Sequence, residues 1–238
     1  MKKLFKTIFV TITLFIGINA SAQDKPITFG VKSGLNLSNY SGDAENLKAK
    51  LGFNVGVTLD YNFTSNLYLT TGLEFTTKGV KYDFEESITE EGQTFDLSAK
   101  AKINAMYLQI PIHIGYKVDV NESTKITFHA GPYIAYGVGG KVKIGDEMKI
   151  KNGATTVTIN MKELKKEFGI SDEELPLDMD TFGDESFKRF DFGVGLGVGA
   201  EFGKFCVGLG YDFGLANISR EGSTARNMNA YLTVGYKF

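Results

Sequence analysis

Arg226-Asn227-Met228-Asn229-Ala230-Tyr231-Leu232-Thr233-Val234-Gly235-Tyr236-Lys237-Phe238 closes the chain in strict two-residue alternation. Met228, Ala230, Leu232, Val234, Tyr236 and Phe238 fall on one side of the implied strand, and Asn227, Asn229, Tyr231, Thr233, Gly235 and Lys237 on the other. Successive side chains of a strand point to opposite faces, so this segment has one apolar and one polar face. A soluble domain seldom ends in this way. Such a strand, closed by an aromatic residue, is what a transmembrane β-barrel turns to lipid outside and to its filled interior within.

The same period recurs seven times upstream. It runs over about Ile27 to Leu37, Leu51 to Phe63, Leu67 to Lys78, Ala105 to Val118, Lys125 to Val138, Phe190 to Phe202 and Phe205 to Leu215. The clearest case sets Leu51, Phe53, Val55, Val57, Leu59, Tyr61 and Phe63 against Gly52, Asn54, Gly56, Thr58, Asp60 and Asn62. With the terminal strand the pattern predicts an all-β fold, an eight-stranded antiparallel up-and-down transmembrane barrel. The links after the second, fourth and sixth strands are short, and those after the first, third, fifth and seventh are long. That asymmetry implies short periplasmic turns, long extracellular loops and both termini in the periplasm.

Aromatic placement follows the same topology. Phe29, Tyr61, Phe63, Tyr116, Phe128, Phe202, Phe205, Tyr236 and Phe238 face outward at the strand ends assigned to the periplasm, as an interfacial girdle would. Phe53, Phe75, Tyr136, Phe190 and Phe213 suit the opposite interface.

At the amino end, three lysines within Met1 to Lys6 precede an apolar stretch from Ile8 to Ile18 and the small residues Ala20-Ser21-Ala22. This is the plan of a cleaved export signal over residues 1–22, leaving 23–238 as one barrel domain with a long extracellular loop at 140–188. The apolar stretch falls short of the about 20 residues that span a bilayer as a helix. One cysteine, Cys206, excludes an intramolecular disulfide framework. A net charge of −2 from 26 basic and 28 acidic residues gives no footprint for nucleic acid.

Four motifs carry a family resemblance. Tyr107-Leu108-Gln109-Ile110-Pro111, Gly131-Pro132-Tyr133, Asp191-Phe192-Gly193 with Gly195, Gly197 and Gly199, and Gly214-Leu215-Ala216-Asn217-Ile218 resemble successive strand signatures of the PorT-type outer-membrane β-barrel family of Bacteroidetes. The resemblance covers essentially the whole mature chain. It implies an eight-stranded barrel in the outer membrane of a Gram-negative bacterium, in a family most of whose members have no established activity.

Eight strands enclose an interior that side chains fill, so no open pore is expected. The inward set mixes both charges, which a closed interior tolerates only when they pair. Glu74, His113, His129, Arg189, Asp191 and Asp212 form the expected interior polar cluster. The short turn near Asn121 and Glu122 makes His113 and His129, the two histidines of the chain, cross-strand neighbours. Spacing dictates no third ligand, so no metal site is assigned. No Ser or Cys motif beside them supplies a nucleophile, so neither catalytic residues nor a cofactor are expected.

The glycines near 193–199 and 208–214 leave room for long residues from the opposite wall. Cys206 faces inward beside Glu201 as an inert thiol. Within the long loop, Lys141 to Ile150 reads as a hairpin around Gly145-Asp146 and Met161 to Leu175 as an amphipathic helix. The reading is then a structural or interaction barrel. Its expected partners are outer-membrane lipid, the barrel-assembly machinery through the C-terminal strand, and an extracellular protein or glycan through the loops. The alternative is a soluble lipocalin-like barrel carrying a small apolar ligand.

Overall fold

The computed structural model describes residues 26–44, 46–90, 93–171, 176–183, 186–220 and 222–238, so the export signal expected over 1–22 lies outside the described residues. The elements are β1 (Ile27–Gly42), β2 (Leu47–Asn62), β3 (Leu67–Glu90), β4 (Gln93–Asn121), β5 (Thr124–Ile144), β6 (Glu147–Asn152) and β7 (Thr155–Asn160). They continue with α1 (Met161–Phe168), β8 (Asp178–Asp180), β9 (Phe190–Phe202), β10 (Phe205–Gly214) and β11 (Ala225–Lys237). All strands pair antiparallel in one sheet of eleven, not eight.

Eight of the eleven pair in a cycle: β1 to β5 in order, then β9, β10 and β11, with β11 returning to β1. The cycle leaves none of these strands with a free edge. The additional strands β6, β7 and β8 all fall within residues 140–188, the segment read as a loop. They form there because Met148, Ile150, Val157 and Ile159 keep a short alternation of their own, which suits a ribbon added to a sheet edge.

Strand ends also depart from the sequence reading. β3 and β4 were expected to break between Lys78 and Ala105, yet they pair on without interruption to Glu90 and Gln93. The long loop expected there is a rising two-stranded ribbon. The expected reversal at Gly145-Asp146 is likewise overturned. β5 leaves β4 at Ile144 opposite Ala101, and β6 resumes along the same strand at Lys149 opposite Ser98. The chain therefore bends at Gly145 and Asp146 and keeps its direction. The reversal comes at Gly153, whose φ of 54° is the left-handed region that glycine enters without a Cβ clash.

Helix α1 begins where the Asn160 side chain accepts hydrogen bonds from the backbone N–H groups of Lys162 and Glu163. It ends at Gly169, a left-handed cap. It is thus shorter than the stretch from Met161 to Leu175, and Leu175 itself lies outside the described residues. Lys162 Nζ reaches Asp146 Oδ2 at 2.7 Å, and this hydrogen-bonded pairing raises the lysine above its ordinary pKa.

Burial along the cycle is inverted relative to a water-soluble protein. Leu51 is 67% exposed and Ile114 60%, whereas Lys78 and Asp191 are both 0% exposed. Apolar side chains therefore cover the outside and charged ones fill the inside.

Candidate functional site

The interior is organised in tiers, each contributed by residues facing inward from several strands. The tier furthest from the termini centres on Asp191 at the start of β9. Its Oδ2 lies 3.3 Å from Lys78 Nζ and accepts hydrogen bonds from Asn227 Nδ2 at 2.9 Å and Tyr133 Oη at 3.4 Å. The Lys78 ammonium also sits over the rings of Tyr133 and Tyr107, 4.4 and 5.4 Å from their centroids. Gln109 Nε2 donates to Asp212 Oδ2 at 3.0 Å just below.

The middle tier holds the histidines. Their Nδ1 atoms are 2.9 Å apart and the rings are stacked, with centroids 5.1 Å apart. They meet diagonally, because His129 pairs with Gly115 in the β4–β5 register rather than with His113. Lys32 and Glu74 form an ion pair in the same interior. Among the described residues no group of three or more His, Cys, Asp or Glu is arranged to hold a metal ion.

The tier nearest the termini is held by Lys237 from β11, which bonds Asp60 and reaches Glu201 Oε1 at 2.5 Å. Lys117 approaches the same Glu201 oxygen at 3.5 Å and stands over the Tyr68 ring at 4.7 Å. Cys206 is half-buried and pairs directly with Glu201 across β9 and β10. The space remaining between these groups is a cavity of about 130 Å³.

The glycines of β9 make room for these side chains, but for neighbours on β5 more than for the opposite wall. Gly193 pairs with Tyr133, Gly197 with His129 and Gly199 with Thr127. A Cβ at Gly197 would stand 2.4 Å from His129 Nε2. Gly197→Ala is therefore expected to lower stability by about 1–3 kcal/mol, read as a shifted urea midpoint. An unchanged midpoint would show that the imidazole moves aside at no cost.

Above Asp191 the interior is closed by apolar residues that sequence reasoning missed. Phe182 packs on Tyr107, Tyr133, Ala105 and Ala135, its ring edge-on to Tyr107 at 5.4 Å. Phe187 covers a second cluster of Tyr40, Val80, Ala216 and Ile218. Backbone bonds hold this lid down: Thr181 N–H donates to Gly140 O at 3.2 Å and Lys188 N–H to Ile218 O at 2.8 Å. A sign of it was available in Phe182 and Phe187, two aromatics in an otherwise polar segment.

Arg189 corrects the expected cluster. It is exposed, and its guanidinium donates to the backbone oxygens of Gly137 and Phe182 at 3.0 and 3.4 Å. β9 begins only at Phe190, so strand parity does not carry Arg189 inward. Glu74, His113, Asp191 and Asp212 are buried, while His129 is half-buried.

Outside, Phe29, Tyr61, Phe63, Tyr116, Phe128, Phe202, Phe205 and Phe238 are exposed at the strand ends near the termini, and Tyr236 is half-buried between Phe205 and Phe238. Tyr116 pairs with Phe128 and Phe202 with Phe205.

The family described as "Outer membrane protein beta-barrel domain" matches residues 20–220. Among solved structures, the chain is similar to the attachment invasion locus protein Ail of Yersinia pestis at 14% identity, with 90% of this chain and 100% of Ail covered and a TM-score of 0.35. Neisserial surface protein A is similar at 11% identity over 90% of this chain and 100% of its own, with a TM-score of 0.41. OprG from Pseudomonas aeruginosa is similar at 12% identity over 91% and 98%, with a TM-score of 0.40. No curated protein matches.

Proposed function

This chain belongs to the outer membrane protein beta-barrel domain family, and from that premise we propose that it is a sealed, non-enzymatic barrel that acts through contacts made at one end. The outer membrane is its location. Its termini and short turns face the periplasm, with the nine aromatics from Phe29 to Phe238 as the girdle on that side. The β3–β4 ribbon, β6, β7 and α1 then project from the cell surface, where loops on an inert scaffold carry function.

The observation that carries this reading is the closure of the interior. The Phe182 and Phe187 lid lies over the Lys78–Asp191 tier, and the remaining cavity of about 130 Å³ is lined by Lys32, Asp60, Glu74, His113 and Lys237. Small-molecule sites usually measure about 300–1,000 Å³ and are mostly apolar, so a lipocalin-like carrier is disfavoured. A PorT-type membership is our reading of the sequence motifs, three of which supply Tyr107, Gln109, Tyr133 and Asp191 to the tier under the lid.

In planar bilayers the protein is expected to produce no unitary current steps. Stepwise currents at neutral pH would overturn the sealed reading. For the surface contacts, deletion of residues 147–171 removes β6, β7 and α1 while keeping β8 and the lid. Heat-modifiable gel migration should be unaffected, and cross-links to surface partners in intact outer membranes should disappear. An unaltered cross-linking pattern would exclude this segment as the contact element.

A further inference from the structure

Four lysines on four adjacent strands stand in direct register. Lys48 of β2 pairs with Lys81 of β3, Lys81 with Lys102 of β4, and Lys102 with Lys143 of β5. Directly opposed residues share a face, and like charges so opposed repel. Strands are about 4.8 Å apart, so the row runs about 14 Å across the wall. The two end lysines have acidic partners, Lys48 with Asp83 at 2.5 Å and Lys143 with Asp178 at 3.7 Å. The two central ones, Lys81 and Lys102, have none among the described residues.

Below the row lies a cavity of about 660 Å³ with two kinds of lining. Lys50, Lys102 and Lys143 contribute positive charge, Lys141 is paired with the lining Asp180 at 2.7 Å, and Leu51, Phe53 and Met106 contribute apolar surface. Lys50 is only 4% exposed, sits at the bulge in the β2–β3 pairing, and among the described residues has no ion pair or hydrogen bond to its ammonium. A buried cation without a partner is costly unless an anion reaches it. Leu51, at 67% exposure, and Phe53, at 49%, belong to the apolar outer band. The row therefore borders that band on the side away from the termini.

We propose that the Lys48–Lys81–Lys102–Lys143 row and the cavity beneath it bind the multiply phosphorylated headgroup of an outer-leaflet membrane lipid. The phosphates bridge the central lysines and Lys50, and an acyl chain lies against Leu51, Phe53 and Met106. A soluble polyanion would satisfy the lysines and leave the apolar wall unused, which favours a lipid as the source of the phosphate. The site rests on the orientation given above, which labelling of a Thr89→Cys variant in intact cells reads independently.

The test uses the full-length protein in detergent micelles with bisphosphorylated lipid A as probe. Lysines near a membrane surface each contribute enough that Lys81→Gln combined with Lys102→Gln should weaken lipid A retention about 30-fold. Both side chains are exposed, so heat-modifiable migration should stay as in the wild type and show that the variant folds. Dephosphorylated lipid A should not be retained, and free pyrophosphate should not displace lipid A at equal concentration. Equal retention by the variant would overturn the site. Displacement by pyrophosphate as effective as by lipid A would overturn the lipid and assign the lysines to a soluble phosphate.

Discussion

Asp191→Ala is expected to cost the folded barrel about 3–5 kcal/mol, the usual penalty for removing one partner of a buried ion pair. Both side chains of the Lys78–Asp191 pair are 0% exposed, so water cannot replace the lost carboxylate. The variant would strand the Lys78 ammonium between the faces of Tyr107 and Tyr133 and take an acceptor from Asn227 and Tyr133. Cation–π contact stabilises a desolvated ammonium by only about 2 kcal/mol, too little to offset the loss. The measurement is the urea midpoint of heat-modifiable migration. Lys78→Met combined with Asp191→Asn should recover most of the loss, because no unpaired charge remains and the amide can still accept from Asn227 Nδ2. A single variant as stable as the wild type would mean that the pair does not organise this tier.

That tier shows where sequence reasoning reached and where it stopped. Alternation puts Asp191 on a polar face, and the structure buries it there with Tyr107, Tyr133 and Lys78, because the period of two holds wherever one face meets lipid. It lost β3 beyond Lys78 and β4 before Ala105 because the alternation changes phase there: Val80, Tyr82 and Phe84, like Leu97, Ala99, Ala101 and Ile103, continue the parity of the inward polar side, since the outer side of the rising ribbon no longer meets lipid. Register was the next limit. A turn centred near Asn121 and Glu122 set His113 opposite His129, but the β4–β5 register runs from Asp119↔Lys125 to Gly115↔His129, two residues away from that opposition, so the contact is diagonal. The convergence of Phe182 on Tyr107 could not be read at all, since it depends on how a long excursion folds back across the mouth. The lysine row needed three pairings at once. Each lysine alone reads as an ordinary solvated charge.

Removing Phe238 alone is expected to lower the outer-membrane yield sharply while leaving the refolded barrel nearly as stable as before. The deletion removes one backbone hydrogen bond, from Phe238 N–H to Phe29 O at 2.9 Å, a contribution of about 1 kcal/mol. It also removes a ring that is 46% exposed and touches Tyr236 at 5.6 Å between centroids. The lock at that end is Lys237 on Asp60 and Glu201, and it stays. β11 closes the cycle by pairing with β1 from Gly30↔Lys237 to Gly42↔Ala225, so it is the strand an assembly machine must hold until closure. Its outward Leu232, Val234, Tyr236 and Phe238 are the surface available for that hold. Lys237→Met makes the complementary case. It leaves the outward series intact but withdraws the shared cation from two acids, leaving Lys117 beside Glu201. That variant should be delivered to the membrane normally and unfold at lower urea. Comparing outer-membrane yield with urea midpoint for the two variants separates addressing from stability. Normal yield of the Phe238 deletion would show that the terminal aromatic serves the girdle alone.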